Sequence, residues 1–194
     1  MSLLAHATIA DRLAMSAKEH NALRLDVSLI TALSDIARAM HRCLTERGRV
    51  YLCGNGGSAA DAQHVAAELQ GRFMRERQPY PAIALTTDTS ILTAIGNDYG
   101  YEHVFARQVA ANARAGDIVV GISTSGNSRN VLNALATARV CEAITVGFTG
   151  AEPGHLRDLS DVLFCAPSRD TARIQELHMS AWHAVIDAVE AGLP

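Results

Sequence analysis

The sequence predicts an α/β fold: a three-layer sandwich with a five-stranded parallel sheet flanked by helices, preceded by N-terminal helices. Three observations predict it. Five short apolar runs, at 49–53, 82–86, 117–122, 142–147 and 161–165, have strand length. Helical stretches lie between and after them, at 58–71, 89–96, 101–113, 128–139 and 171–191. The runs are apolar without polar alternation, the pattern of strands covered on both faces, as helix crossovers between parallel strands require.

The elements follow in order. Residues 2–46 carry helical periodicity, with Ile30, Leu33, Ile36, Ala37, Met40 and Leu44 as one stripe and Gly48 as its stop. Two such helices carry more apolar surface than one sheet face needs, so part of the stripe is expected either at a subunit interface or as extra core. Val50–Cys53 is the first strand and enters Gly54-Asn55-Gly56-Gly57-Ser58. The next helix is rich in small residues (Ala59, Ala60, Ala62, Ala66, Ala67), which lets another element pack close. Pro79 and Pro81 mark a surface loop before the second strand. Asp117–Ile122 leads into Ser123-Thr124-Ser125-Gly126-Asn127-Ser128, and Gly96-Asn97-Asp98 follows the helix after the second strand. Repeats, biased segments and long linkers are lacking. The chain reads as one domain, 1–194, with N-terminal helices over 1–47 and an α/β core over 48–194.

Composition narrows the function classes. A chain of 194 residues buries a sizeable core, and 48% hydrophobic content comes without a run long enough to span a membrane. Met1-Ser2-Leu3-Leu4-Ala5-His6 has no secretory pattern, and a net charge of -3 leaves no footprint for nucleic acid. Cys43, Cys53, Cys141 and Cys165 lack C-x-x-C spacing and read as reduced thiols, so the expected compartment is the cytoplasm.

The chemistry concentrates in the loops at the carboxyl ends of the strands, where open parallel sheets bind ligands. Gly54–Ser58 joins a strand to a helix and offers backbone amides to an anion. It is neither a Walker loop nor a dinucleotide fingerprint, so a small phosphate ester fits better than a nucleotide. Ser123–Ser128 supplies four hydroxyls around one glycine before a helix, more than an N-cap needs. His64 and Glu68 are four residues apart and share a helix face; Glu suits a base on a carbon acid, and the pair also suits zinc. The last helix adds Gln175, Glu176, His178 and His183. Gln175 and His183 are separated by about 12 Å of helix rise. Sharing one small ligand would require an interruption near Gln175 or a second chain.

These motifs, in this order, resemble the bacterial phosphoheptose isomerases of the sugar isomerase (SIS) domain superfamily. The residues that carry the resemblance are Cys53–Asp61, His64, Glu68, Gly96–Gly100, Gly121–Ser128, Ile174-Gln175-Glu176, His178 and His183. The resemblance implies a flavodoxin-like strand order and a homotetramer with sites between subunits. It implies interconversion of D-sedoheptulose 7-phosphate and D-glycero-D-manno-heptose 7-phosphate, the first step towards nucleotide-activated heptose. It implies one zinc ion per subunit on His64, Glu68, Gln175 and His183. Substrate contacts would come from Asn55, Gly56, Gly57, Glu68, Asn97, Asp98, Ser123, Thr124, Ser125, Ser128 and Gln175. Glu68 is then the base of an enediol mechanism and His183 the general acid, from a neighbouring subunit on the family pattern. Two other readings stand beside it: a non-catalytic SIS adaptor that binds a replication initiator, which would lack the carboxylate at Glu68, and an isomerase of another sugar phosphate. The sequence departs from the family at Thr149–Gly154 and Arg139–Glu142, both expected to lie away from the site.

Overall fold

The computed structural model describes residues 3–193. Helix α1 spans Leu3–Leu25 and α2 spans Val27–Thr45. Asp26 separates them: its carboxylate accepts hydrogen bonds from Ser28 N (2.9 Å) and Leu29 N (3.2 Å), capping α2 and forcing an extended residue between the helices. The core then alternates as β1 (Val50–Gly54), α3 (Gly57–Gln70), β2 (Ala82–Ala84), α4 (Thr89–Tyr99), a 3-10 turn at Tyr101–His103 and α5 (Ala106–Asn112). It continues with β3 (Ile118–Ile122), α6 (Arg129–Val140), β4 (Ile144–Thr149), α7 (Leu156–Leu159), β5 (Val162–Cys165) and α8 (Thr171–Gly192).

All strand pairs are parallel and the order is β2-β1-β3-β4-β5, as expected. The order reverses between β1 and β3, which pair in register from Val50 with Ile118 to Gly54 with Ile122. Their following loops therefore start side by side, and this opens the crevice in which such sheets take ligands. Alternation along the strands splits the core into two layers. Val50, Leu52, Ile118, Val120, Ile122, Val146 and Phe148 face α2, α3 and α8, and the fully buried Trp182 stacks on Phe148 at 4.1 Å. Tyr51, Cys53 and Val119 face Val109, Val131 and Leu135 of α5 and α6. Each large buried side chain contributes about 1.5–3 kcal/mol of hydrophobic stabilisation.

Three expectations are corrected. The stretch 101–113 is not one helix, because the 3-10 turn precedes α5. Helix α4 runs on to Tyr99, so Asn97 and Asp98 lie in its last turn and not in a following loop. Gly48 does not supply the left-handed stop after α2; that residue is Arg47 (φ 64°). Of the α2 stripe, Leu33, Ile36, Ala37, Met40 and Leu44 are buried as core of this chain, while Ile30 stays exposed. On these two helices, apolar side chains are uncovered at Ile9, Leu13 and Met15 of α1 and around the α1–α2 junction at Leu25, Val27 and Ile30. No described helix is long and apolar enough to cross a membrane.

Candidate active site

The loop after β1 turns at Gly56, whose φ of 55° and ψ of -120° suit glycine. Helix α3 starts at the next residue, Gly57, with Gln175 of α8 packed so closely over it that a Cβ would overlap the Gln175 amide. Asn55 is fixed from the opposite side. Its side chain forms a reciprocal amide pair with the buried Asn130 of α6 (2.9 and 2.8 Å) and accepts a hydrogen bond from Tyr101 Oη (3.2 Å).

The serine loop is built differently from a simple helix cap. Ser128 occupies the N-cap of α6, but its hydroxyl does not cap the helix; it accepts from Ser123 Oγ at 3.0 Å. Ser123 Oγ in turn accepts from Ser128 N at 3.3 Å, and Ser125 Oγ accepts from Asn127 N at 3.2 Å. Gly126 has φ 66° and lies against the Pro153 carbonyl with no room for a side chain. Asn127 Oδ1 accepts from His155 N (3.1 Å), and Gly126 O accepts from Leu156 N (3.0 Å). Thr124 and Ser125 also line a cavity of about 290 Å³ together with Gly150, Glu152, Ser168 and Arg169. The segment after β4 therefore braces and walls the serine loop. The expectation that Thr149–Gly154 lies away from the site is wrong, because crossover strands β3 and β4 bring their two exits together.

The third part lies on the α3–α8 seam. Helix α8 runs unbroken from Thr171 to Gly192. With Gln175 over Gly57, and His183 beside His64 and Glu68, the two helices run side by side in the same direction. His64 Nε2 is 3.0 Å from Glu68 Oε1, His183 Nε2 is 3.3 Å from His64 Nε2, and His183 Nε2 is 3.4 Å from Glu68 Oε1. Glu68 forms the floor, with its side chain 13% exposed, while the two histidines are half exposed. Glu68 Oε2 is buried without a hydrogen-bond partner. His183 reaches Glu68 within one chain, while Gln175, two turns earlier on the unbroken α8, lies over Gly57. The two do not meet at one point within this chain, in line with the expectation from helix rise.

This donor set fits a metal ion. Zinc takes imidazole nitrogens and carboxylate oxygens at about 2.0–2.2 Å, and a tetrahedron of such arms has edges of about 3.4 Å. The three donor atoms stand at nearly those separations. Among the described residues with His, Cys, Asp or Glu ligands, this is the group that could hold an ion. Gln175, the fourth expected ligand, is placed over Gly57. Asn97 and Asp98 are exposed and bond to each other (2.8 Å).

Four residues escaped the sequence reading. Asn130 and Tyr101 hold Asn55. Asp61, buried one turn before His64, has its carboxyl pushed up to about 6 by burial, opposed by the positive field of His64. Phe73 stacks on the His183 ring at 5.4 Å with an interplanar angle of 17°. A spacing of three from His64 could have signalled Asp61; the other three depend on contacts distant in sequence.

The chain is similar to known proteins over most of its length. The SIS domain family matches residues 18–150. A phosphoheptose isomerase of Roseiflexus sp. RS-1 is 59% identical over 158 residues, 81% of this chain and 80% of its own. One from Bradyrhizobium sp. BTAi1 is 47% identical over 193 residues, covering 100% of this chain and 98% of its own. The solved structure of phosphoheptose isomerase GmhA from Neisseria gonorrhoeae superposes with a TM-score of 0.90 at 44% identity, covering 96% of this chain and 98% of that one.

Proposed function

We infer the chemistry of the site from one premise: the chain belongs to the SIS domain family and, within it, to the phosphoheptose isomerases. It is an isomerase that converts D-sedoheptulose 7-phosphate to D-glycero-D-manno-heptose 7-phosphate, on the way to nucleotide-activated heptose. The observation that carries the catalytic reading is the convergence of His64, Glu68 and His183 on one point of the α3–α8 seam.

The substrate is read as an extended sugar phosphate. Its phosphate lies against the hydroxyls of Ser123, Thr124, Ser125 and Ser128 and the first turn of α6, with no cationic side chain required. Asn55, Gly56, Gly57, Gln175, Asn97 and Asp98 hold the chain of hydroxyls.

Glu68 takes the proton from the carbon next to the carbonyl and returns it to the neighbouring carbon, through an enediol. Its Oε1 points into the cluster, towards both histidines, while Oε2 is buried. His183 moves the proton between the two sugar oxygens. When bound, a zinc ion held by His64, Glu68 and His183 would supply Lewis acidity to those oxygens; Gln175 of the same chain lies over Gly57 and would not join them. Retention of the carboxylate at Glu68 favours this over the adaptor reading. The free thiols support a cytoplasmic location, and the exposed apolar residues of α1 support a homotetramer.

The test is turnover of sedoheptulose 7-phosphate by purified protein, before and after chelation and with zinc restored. Aldose formation followed by NMR is the expected result. No turnover in any arm, or equal turnover of a pentose phosphate, overturns the assignment.

A further inference from the structure

Phe73 reaches the cluster from a segment without regular structure, and a buried carboxylate holds that segment in place. Glu190 lies on α8 seven residues after His183, two turns along the same face. Its side chain is 1% exposed. Its two oxygens accept hydrogen bonds from three successive backbone amides: Phe73 N (3.0 Å), Met74 N (2.7 Å) and Arg75 N (2.8 Å). Arg77 Nε lies 3.0 Å from Glu190 Oε1, with its own side chain 4% exposed. The Arg77 guanidinium donates onward to Glu68 O (2.8 Å), Leu69 O (2.9 Å) and Gly71 O (3.2 Å), the carbonyls that end α3. Arg77 thus caps the helix that carries His64 and Glu68, while Glu190 anchors the strap that carries Phe73.

We propose that Glu190 is a positioning residue for His183, acting through the Phe73 ring, and that with Arg77 it locks α3 and α8 at the spacing the His64–Glu68–His183 cluster needs. Burial of a carboxylate is costly unless its charge is met. Here burial works to raise the Glu190 pKa, but the three amides and Arg77 outweigh it and hold the group below its ordinary value. The residue stays an anion, and a neutral amide at this place could not hold three N–H donors and a guanidinium together. A surface loop has no need of such a buried charge. Here the loop delivers one aromatic ring, near-parallel and offset, onto a ring of the cluster. The histidines themselves are half exposed, so the imidazole of His183 has few other contacts to fix its plane. Hydrogen-bonded partners of metal-binding histidines set the orientation of the ring; for His183 the stacked Phe73 ring takes that part.

The inference rests on the proposed role of the cluster, and its test separates the two. Phe73→Leu removes the stack and leaves the Glu190 knot whole. It is expected to lower kcat about tenfold with KM within about twofold, to weaken zinc affinity in chelator competition by about tenfold, and to keep the wild-type melting temperature. Glu190→Gln is expected to show the same pattern, with lowered thermal stability. The double variant should have a kcat no lower than the weaker single variant, because both act along one path. A Phe73→Leu protein with wild-type kcat and zinc affinity overturns the proposal, as does a Glu190→Gln protein that loses stability alone. Wild-type protein that takes up no zinc would count against the metal reading, and the kcat arm then decides for Glu190.

Discussion

His183 Nε2 lies 3.4 Å from Glu68 Oε1 of the same chain, although the two residues are 115 positions apart in sequence. The base and the acid of the proposed reaction therefore share one protomer. A mixture of Glu68→Gln and His183→Ala proteins, brought to subunit exchange, is expected to recover no activity. Every site in every mixed oligomer would lack one of the two groups. Recovery of a substantial fraction of wild-type turnover would show that each site draws them from two chains.

Glu68→Gln is expected to abolish isomerisation while sugar-phosphate affinity and fold persist. The amide has the shape of the carboxylate but cannot take a proton. Turnover and binding measured side by side decide it: a variant above about one tenth of wild-type kcat has lost only about 1.4 kcal/mol of barrier lowering, too little for removal of the base.

Ser125→Ala and Ser128→Ala should raise KM more than they lower kcat. Hydroxyls on a remote phosphate hold ground state and transition state alike. The Ser128 change also removes the acceptor of the Ser123 hydroxyl, so its effect should be the larger of the two. Unchanged KM in both variants would place the phosphate elsewhere.

His64→Ala should lose bound zinc, read by elemental analysis of untagged protein, because it removes one of the three converging donors. Full activity after exhaustive chelation would demote the ion to an occupant without a role in turnover.

Stability should fall at mildly acid pH through His178. The ring is fully buried between Phe148 and Phe164, and its Nε2–H donates to Thr149 O at 3.0 Å. Burial pulls its pKa down to about 4 from 6.5, against a smaller opposing effect of the Thr149 carbonyl. The folded value is the lower one, so the contribution is complete above pH 6.5 and is lost as pH falls from 6.5 towards 4. The linked loss is about 3 kcal/mol. Denaturant titrations of wild type and His178→Gln across that range should converge as the pH drops; parallel curves would remove His178 as the cause.

Much of this molecule was legible in its chain. Apolar runs of strand length, separated by helical stretches, specified a parallel sheet, because only strands covered on both faces tolerate such composition. Gly54–Ser58, Ser123–Ser128, His64 and Glu68 were visible because local spacing fixes which backbone amides and side chains face one way. Spacing along one helix could not decide whether His183 reaches Glu68, since that depends on the neighbouring helix and on side-chain length. Packing α3 alongside α8 in the same direction decided it. Tertiary structure alone also brought Asn130 to Asn55, the Pro153 turn to Gly126 and Glu190 to the strap of Phe73. Each of these joins segments far apart in sequence, and the sheet order that sets them side by side is a property of the whole fold rather than of any window of residues.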